Sequence, residues 1–218
     1  ERHGSLDYLF NNAGIGVAAE VADYDVAAWD DVLDVNVRGV AYGIQAVYPI
    51  MRAQGSGHII NTASMAGLLP AGGTTSYTAS KHAVVGLSIA LRIEAARHGV
   101  RVSALCPGVI RTPILTGGKF GRTIGLHIGD ADLLRLWERM RPMDPDRFAI
   151  EVLADVDRNE PYIIVPRWWK ALWLLQRVSP KLSLFLWSRL YASLRAQTIG
   201  RGAEEEIPVT TEVPTHAE

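Results

Sequence analysis

Short apolar runs and longer stretches of helical periodicity alternate along most of the chain. Leu6-Asp7-Tyr8-Leu9-Phe10 is the first run, followed by Asn11-Asn12-Ala13-Gly14. Apolar residues at helical spacing extend from about Val26 to Met51, with Asn36 among them, and Gly55-Ser56-Gly57 closes that stretch. The second run, His58 to Thr62, delivers Ala63 and Ser64 at its end. A long helical stretch from about Thr75 to His98 stops at Gly99, and Val100 to Cys106 makes the third run, ending at Pro107-Gly108. Residues 112–129 are glycine-rich and irregular. Asp144-Pro145 has the chemistry of a helix start, a capping aspartate with proline in the first turn. Tyr162 to Val165 is a short last strand. Strand–helix alternation of this kind predicts an α/β fold built on a doubly wound parallel sheet. In such sheets ligands bind outside the carboxyl ends of the strands, and the polar clusters all fall at that edge.

The densest candidate chemistry is Tyr77-Thr78-Ala79-Ser80-Lys81. Residues four apart share one helix face. An ammonium beside a phenol favours the phenolate, so Lys81 is expected to lower the pKa of Tyr77 toward a range useful for proton transfer. An ordinary surface pair is the plain alternative. Ser64 places a hydroxyl at a strand end on the same edge. Ser80 and His82 are read as pointing to other helix faces, and Asn11 as tying strands together. Cys106, inside an apolar run, reads as a buried small hydrophobe. Gly14-Ile15-Gly16 does not read as a phosphate-binding turn.

Asn11-Asn12-Ala13-Gly14, Asn36-Val37-Arg38-Gly39, Ser64 with Tyr77 and Lys81, and Pro107-Gly108-Val109-Ile110-Arg111-Thr112 stand in this order and spacing. Over roughly residues 4 to 165 the chain resembles the short-chain dehydrogenase/reductase family. The resemblance implies a Rossmann-like domain over residues 1–166 with a substrate lid at about 112–145. It implies Tyr77 as acid/base, with Lys81 tuning it and holding the nicotinamide ribose. Ser64 would hold the substrate oxygen, and Asn36 would hold a water linking Lys81 to solvent. Asn12, Ala13 and Gly14 match the segment beneath the cofactor. Pro107, Gly108, Ile110 and Thr112 match the segment that contacts its carboxamide and phosphates. Asn36, Gly14 and Gly108 each have a simpler reading, as a helix bend or as backbone shape. The cofactor is NAD or NADP. No metal site is assigned.

The family begins with a strand, a glycine-rich turn and a helix, the turn cradling the cofactor pyrophosphate. No such turn occurs here, and by resemblance the first three strands are lacking, along with the residue that selects NAD against NADP. The family's strand order, 3-2-1-4-5-6-7, makes the remaining strands one contiguous half. Leu6 to Phe10 should therefore be an edge strand with apolar side chains facing water. The expectation is that this polypeptide alone neither binds dinucleotide tightly nor turns over.

Composition narrows the classes further. A net charge of −1 gives no support for nucleic-acid binding, and the 48% apolar content suffices for a core. One cysteine excludes an intrachain disulfide and fits a reducing cytoplasm. Residues 167–203 form a Trp-rich basic extension. Trp168, Trp169, Trp173 and Trp187 lie there with Arg167, Lys170, Arg177, Lys181, Arg189, Arg195 and Arg201, and no acidic residue falls between Arg167 and Arg201. Ser179-Pro180 splits the extension into two helices, the second with an apolar stripe of Leu182, Phe185, Leu186, Leu190 and Leu194. Packing of that stripe on the protein is the leading reading, contact with an anionic membrane surface the second, and they are compatible. Residues 204–218, acidic and rich in Pro and Thr, read as disordered.

The leading functional reading is an NAD(P)-dependent oxidoreductase interconverting an alcohol and a ketone or aldehyde, on a hydrophobic substrate, and homo-oligomeric at full length. Epimerases and dehydratases in the family share the Tyr/Lys pair. The rivals are a non-catalytic remnant of the same fold and a membrane-surface binding module.

Overall fold

The computed structural model describes residues 4–116, 120–124, 134, 135 and 137–199. Its frame is a four-stranded, wholly parallel sheet made of β1 (Tyr8–Asn11), β3 (Gly57–Thr62), β4 (Val100–Pro107) and β6 (Tyr162–Val165), in the order β1-β3-β4-β6. Asn11 stands opposite Asn61, Thr62 opposite Leu105 and Pro107 opposite Val165, so the polar strand ends line one edge. These strands are one contiguous run, in a doubly wound, Rossmann-like arrangement. β1 lies at the rim with Tyr8 and Phe10 exposed, as expected of an uncovered edge.

Crossovers follow each strand. After β1 the chain makes β2 (Gly16–Ala18), then α1 (Val26–Leu33), whose first turn is capped by Asp25 accepting from the Ala28 N–H at 2.6 Å. The helix predicted from Val26 to Met51 is interrupted. Asp34–Arg38 is a π-helical turn, with the Gly39 N–H bonded back to the Asp34 carbonyl, and α2 (Gly39–Gln54) resumes behind it. Gly55 ends α2 in the left-handed region at φ 71°, which glycine adopts without penalty. α3 (Thr75–Ala96) and α4 (Pro145–Asp157) complete the crossovers. Asp144 Oδ1 caps α4 through the N–H groups of Asp146 and Arg147, with Pro145 in the first turn.

Two apolar cores flank the sheet. Ile59, Val84, Val102, Ala104 and Ile164 centre one; Ile60, Leu105, Val152 and Ile163 centre the other. Asn11 Nδ2 donates to Asn61 Oδ1 at 2.8 Å, tying β1 to β3, and Asn61 Nδ2 donates to Ser88 Oγ at 3.0 Å, tying β3 to α3. The side chain of Asn11 also fills the space over Gly43 of α2, where a Cβ would collide with it. Cys106 is wholly buried and its thiol is pushed up to about 12 by desolvation, the condition of an inert core residue.

One expectation is corrected. The stretch read as irregular from 112 to 129 contains a helical turn at Pro113–Thr116 and β5 (Gly121–Thr123), which pairs in parallel with β2. A three-residue ladder formed with a segment about a hundred residues earlier leaves no local periodicity to read. Residues 117–119, 125–133 and 136 of the expected lid, the tail 204–218 and Arg201 lie outside the described residues.

The extension forms α5 (Trp169–Val178) and α6 (Pro180–Ile199), divided at Ser179-Pro180. Its tryptophans anchor it: Trp169 is buried, while Trp173 and Trp187 pack on the first core, Trp173 against Tyr162. A Cβ on Gly108 would collide with the Trp169 indole, so this glycine provides a close approach between β4's exit and α5. On α6, Ser183, Trp187 and Tyr191 face inward, whereas Leu182, Phe185, Leu186 and Leu190 are exposed. Packing thus uses the face beside the stripe that the sequence singled out.

Candidate active site

Three elements bring Asn36, Ser64, Tyr77 and Lys81 to the carboxyl edge of the sheet. Ser64 follows β3 and caps the short turn Met65–Gly67 by accepting from the Ala66 N–H at 3.1 Å. Its hydroxyl lies on the Tyr77 side and acts to lower the pKa of that phenol. Tyr77 and Lys81 lie one turn apart in α3, with Lys81 Nζ 5.5 Å from the Tyr77 ring centroid. Lys81 is 3% exposed and donates to the Thr62 carbonyl at 2.9 Å.

Asn36 sits in the π-helical turn, fully buried. Its Oδ1 accepts from the Ile15 N–H at 2.9 Å, and its Nδ2 donates to the Ile15 carbonyl and to Ser80 Oγ, both at 2.9 Å. Bonding to Ile15 fixes where the turn bulges, so a structural role and a place in the site coexist. Helical spacing points Ser80 to another face, and on that face its hydroxyl joins Asn36 to the helix, donating to the Tyr77 carbonyl at 2.7 Å. A Cβ on Gly14 would lie 3.2 Å from Lys81 Nζ and 3.4 Å from Asn36 Oδ1. Gly14 thus keeps the space between these two groups open. A Cβ on Gly16 would make ordinary contact with the Tyr77 ring, 3.7 Å from its Cδ2.

The other residues matched to the cofactor segment divide by exposure. Asn12 and Ala13 are exposed, and Asn12 accepts from Thr62 Oγ1 at 3.1 Å. Pro107 ends β4, and the Gly108 N–H bonds the Val165 carbonyl at 2.9 Å. Ile110 turns its side chain into the second core, leaving its backbone at the edge. Thr112 is half-buried, its hydroxyl 3.4 Å from the Ile110 carbonyl. Among the described residues no cluster of His, Cys, Asp and Glu could hold a metal ion.

Electrostatics reverse one expectation. Burial raises the Tyr77 pKa above its ordinary value, and the Ser64 hydrogen bond only partly offsets this. The neighbouring ammonium does not set the sign, because Lys81 gives up its own charge before Tyr77 ionises. Burial drops Lys81 from 10.5 to about 8. The folded state therefore releases a proton between pH 8 and 10.5 that the unfolded chain retains. This penalty on folding is complete below pH 8 and vanishes as pH rises through 10.5, on the order of 3 kcal/mol. Lys81→Met removes it and loses one hydrogen bond worth about 1 kcal/mol. We expect the variant to unfold at a higher temperature at pH 7, and the difference to shrink and then reverse at alkaline pH, where only the lost hydrogen bond remains. Thermal melts across that range measure it.

The C-terminal helix reaches this edge. Tyr191 of α6 lies against Gly72 and Gly73, just ahead of α3, with ring atoms 3.3 and 3.1 Å from where their Cβ atoms would be. Its hydroxyl donates to Glu20 Oε1 at 2.9 Å, and Arg195 pairs with the same carboxylate. The Ala19 N–H bonds the Gly73 carbonyl at 2.9 Å, so one contact joins α6, the β2 exit and the start of the Tyr77 helix. Tyr191→Ala should cost about 2 kcal/mol of docking, seen as roughly 30-fold faster amide exchange across α6. Tyr191→Phe keeps the ring and should lose about half of that.

A sequence model of the family described as short chain dehydrogenase matches residues 1–119. Levodione reductase of Leifsonia aquatica is 44% identical over 116 residues, which make up 53% of this chain and 43% of that protein. An uncharacterized oxidoreductase of Staphylococcus saprophyticus is 38% identical over 149 residues, 68% of this chain and 56% of that one. Among solved structures, a short-chain dehydrogenase from Streptomyces avermitilis superposes with a TM-score of 0.68 at 26% identity, covering 88% of this chain and 73% of that one. The chain spans about half the length of the curated relatives it matches. With more than half of its residues matched by the family model and its fold superposing on a solved member, the chain belongs to the short-chain dehydrogenase family.

Proposed function

We propose that this chain carries the catalytic half of an NAD(P)-dependent oxidoreductase that interconverts an alcohol and a ketone or aldehyde. The observation that carries this reading is the convergence of Ser64, Tyr77, Lys81 and Asn36 at one strand edge. Tyr77 and Lys81 share one helix face, the Ser64 hydroxyl acts on the Tyr77 phenol, and Asn36 is held across Gly14 from Lys81.

Residues on this edge fit a dinucleotide. Gly14 keeps its backbone clear beside Lys81, Asn12 and Ala13 are open to solvent, and the backbone from Pro107 to Thr112 lines the neighbouring strand end. A bound nicotinamide supplies or accepts the hydride. Everything else falls to this chain. Ser64 holds the substrate oxygen by donating a hydrogen bond, which strengthens as negative charge grows there. Tyr77 gives its proton to that oxygen in reduction and takes it back in oxidation. A raised pKa keeps the phenol protonated at neutral pH, which suits the donor role. Lys81 favours the phenolate left behind and holds the ribose. Asn36 orients the water that returns protons to Lys81. A structural neighbour, a gluconate 5-dehydrogenase from Burkholderia cenocepacia, was solved with NADP and is 35% identical over 52% of this chain, with a TM-score of 0.50.

A hydrophobic substrate is favoured by the apolar part of a cavity of about 250 Å³ beside Thr112, where Leu115, Leu134 and Trp137 stand opposite the Arg111–Glu138 ion pair. Neither this cavity nor a larger one, about 740 Å³ between α4 and Trp168, is lined by any of the four residues. Homo-oligomer formation is supported by Tyr42 and Ile50 of α2 and Ile93 of α3, apolar residues exposed on the two long helices.

The test is consumption of NADH or NADPH against a panel of apolar ketones. It uses a protein in which this chain follows a glycine-rich turn and the preceding strands. Turnover dependent on Ser64 and Tyr77 is expected. Dinucleotide binding without turnover on any carbonyl or alcohol would favour the remnant reading.

A further inference from the structure

We propose that the outer face of the C-terminal helices docks on an anionic lipid bilayer. Leu182, Phe185, Leu186 and Leu190 are 47%, 59%, 47% and 42% exposed, and their spacing places them along one flank of α6. On α5, Leu174 and Val178 are 54% and 83% exposed. A run of large apolar side chains left in water on adjoining helices is a surface built to be covered.

Charge identifies what covers it. Residues 167–201 hold seven basic residues and no acidic one, whereas the whole chain has a net charge of −1. Arg167 and Arg195 are engaged by Asp155 and Glu20. The exposed cations Arg177, Lys181 and Arg189 remain beside the apolar flank, with Arg189 lying 5.7 Å over the Phe185 ring and Arg177 5.3 Å over Trp173. A second copy would bring the same cations to this face, with no acid among the described residues of the face to receive them. An anionic headgroup layer takes the cations while the leucines and Phe185 enter the acyl boundary. The contact lies in the plane of the surface, since no helix among the described residues is long and apolar enough to cross a membrane. The inner face of α6 meanwhile stays on Gly72, Gly73 and Glu20, so docking is compatible with the site's geometry.

The experiment is co-flotation of the purified chain with vesicles, which separates lipid-bound protein from aggregate. Vesicles of phosphatidylcholine alone are compared with vesicles that also contain phosphatidylglycerol, at low and high salt. We expect about ten-fold more bound protein on the anionic vesicles at low salt, and most of that gain lost at high salt. Phe185→Glu and Lys181→Glu should each reduce binding several-fold while circular dichroism stays unchanged, since both side chains face solvent. Absence of the chain from the lipid fraction at low salt would overturn the proposal. So would wild-type binding by Phe185→Glu, or a dimer in light scattering that Phe185→Glu dissociates, which would assign the face to a second copy. None of these readouts depends on turnover.

Discussion

Replacing Tyr77 with Phe is expected to abolish turnover in a protein that joins this chain to a dinucleotide-binding half. Loss of a positioned proton donor lowers kcat by 10²–10⁴, about 3–5 kcal/mol of transition-state stabilisation. KM should change little, because Ser64 still holds the substrate oxygen and the phenyl ring still fills the space over Gly16. The fold should persist, with only the bond between Ser64 and the phenol lost. The pH profile supplies a second reading. Since burial raises the Tyr77 pKa, carbonyl reduction should be flat through neutral pH and fall on the alkaline side as the phenol loses its proton. Lys81 loses its charge above about 8, which removes its help for the phenolate over the same range. Residual activity in Tyr77→Phe should show neither limb. Full activity in that variant would end the acid/base assignment and leave a binding module.

What could be read from sequence follows from which interactions are local. The four strands of the sheet, the α4 cap at Asp144 and the Tyr77–Lys81 face are set by residues a few positions apart, and periodicity exposes them. Asn11 tying β1 to β3 also follows from strand-end chemistry. Other features depend on partners far along the chain. The π-helical turn is placed by Asn36 bonding Ile15, 21 residues away, and Tyr191 meets Glu20 across 171. The sign of the Tyr77 shift is likewise a property of burial, whereas the spacing alone reports only the nearby ammonium. Ser80 was passed over because helical spacing sets it apart from Lys81; only the fold shows that its face meets Asn36.

Gly67→Ala is expected to do the greatest damage to the fold and the site together. The turn Met65–Gly67 carries Ser64 on one side and presses on α3 on the other. A Cβ on Gly67 would stand 2.5 Å from the Lys81 carbonyl oxygen, 2.8 Å from its carbon and 3.1 Å from Val85 Cγ2. The nearest atoms are helix backbone, so no side-chain rotation relieves the clash. Either α3 lifts from the sheet or the turn retreats, and both separate Ser64 from Tyr77. Overpacking of this kind costs about 3 kcal/mol, a fall of roughly 6–12 °C in the unfolding midpoint for a chain of this size. Gly86→Ala is the matched control. It lies on the same helix, exposed, with nothing within 4 Å of its Cβ position, so the better helix former should raise stability by about 0.5–1 kcal/mol. Opposite shifts in the two melts identify the clash rather than glycine replacement as the cause. A Gly67→Ala chain as stable as the parent would mean that the turn does not fix Ser64 against α3, and the rigid placement of Ser64 beside Tyr77 would have to be abandoned.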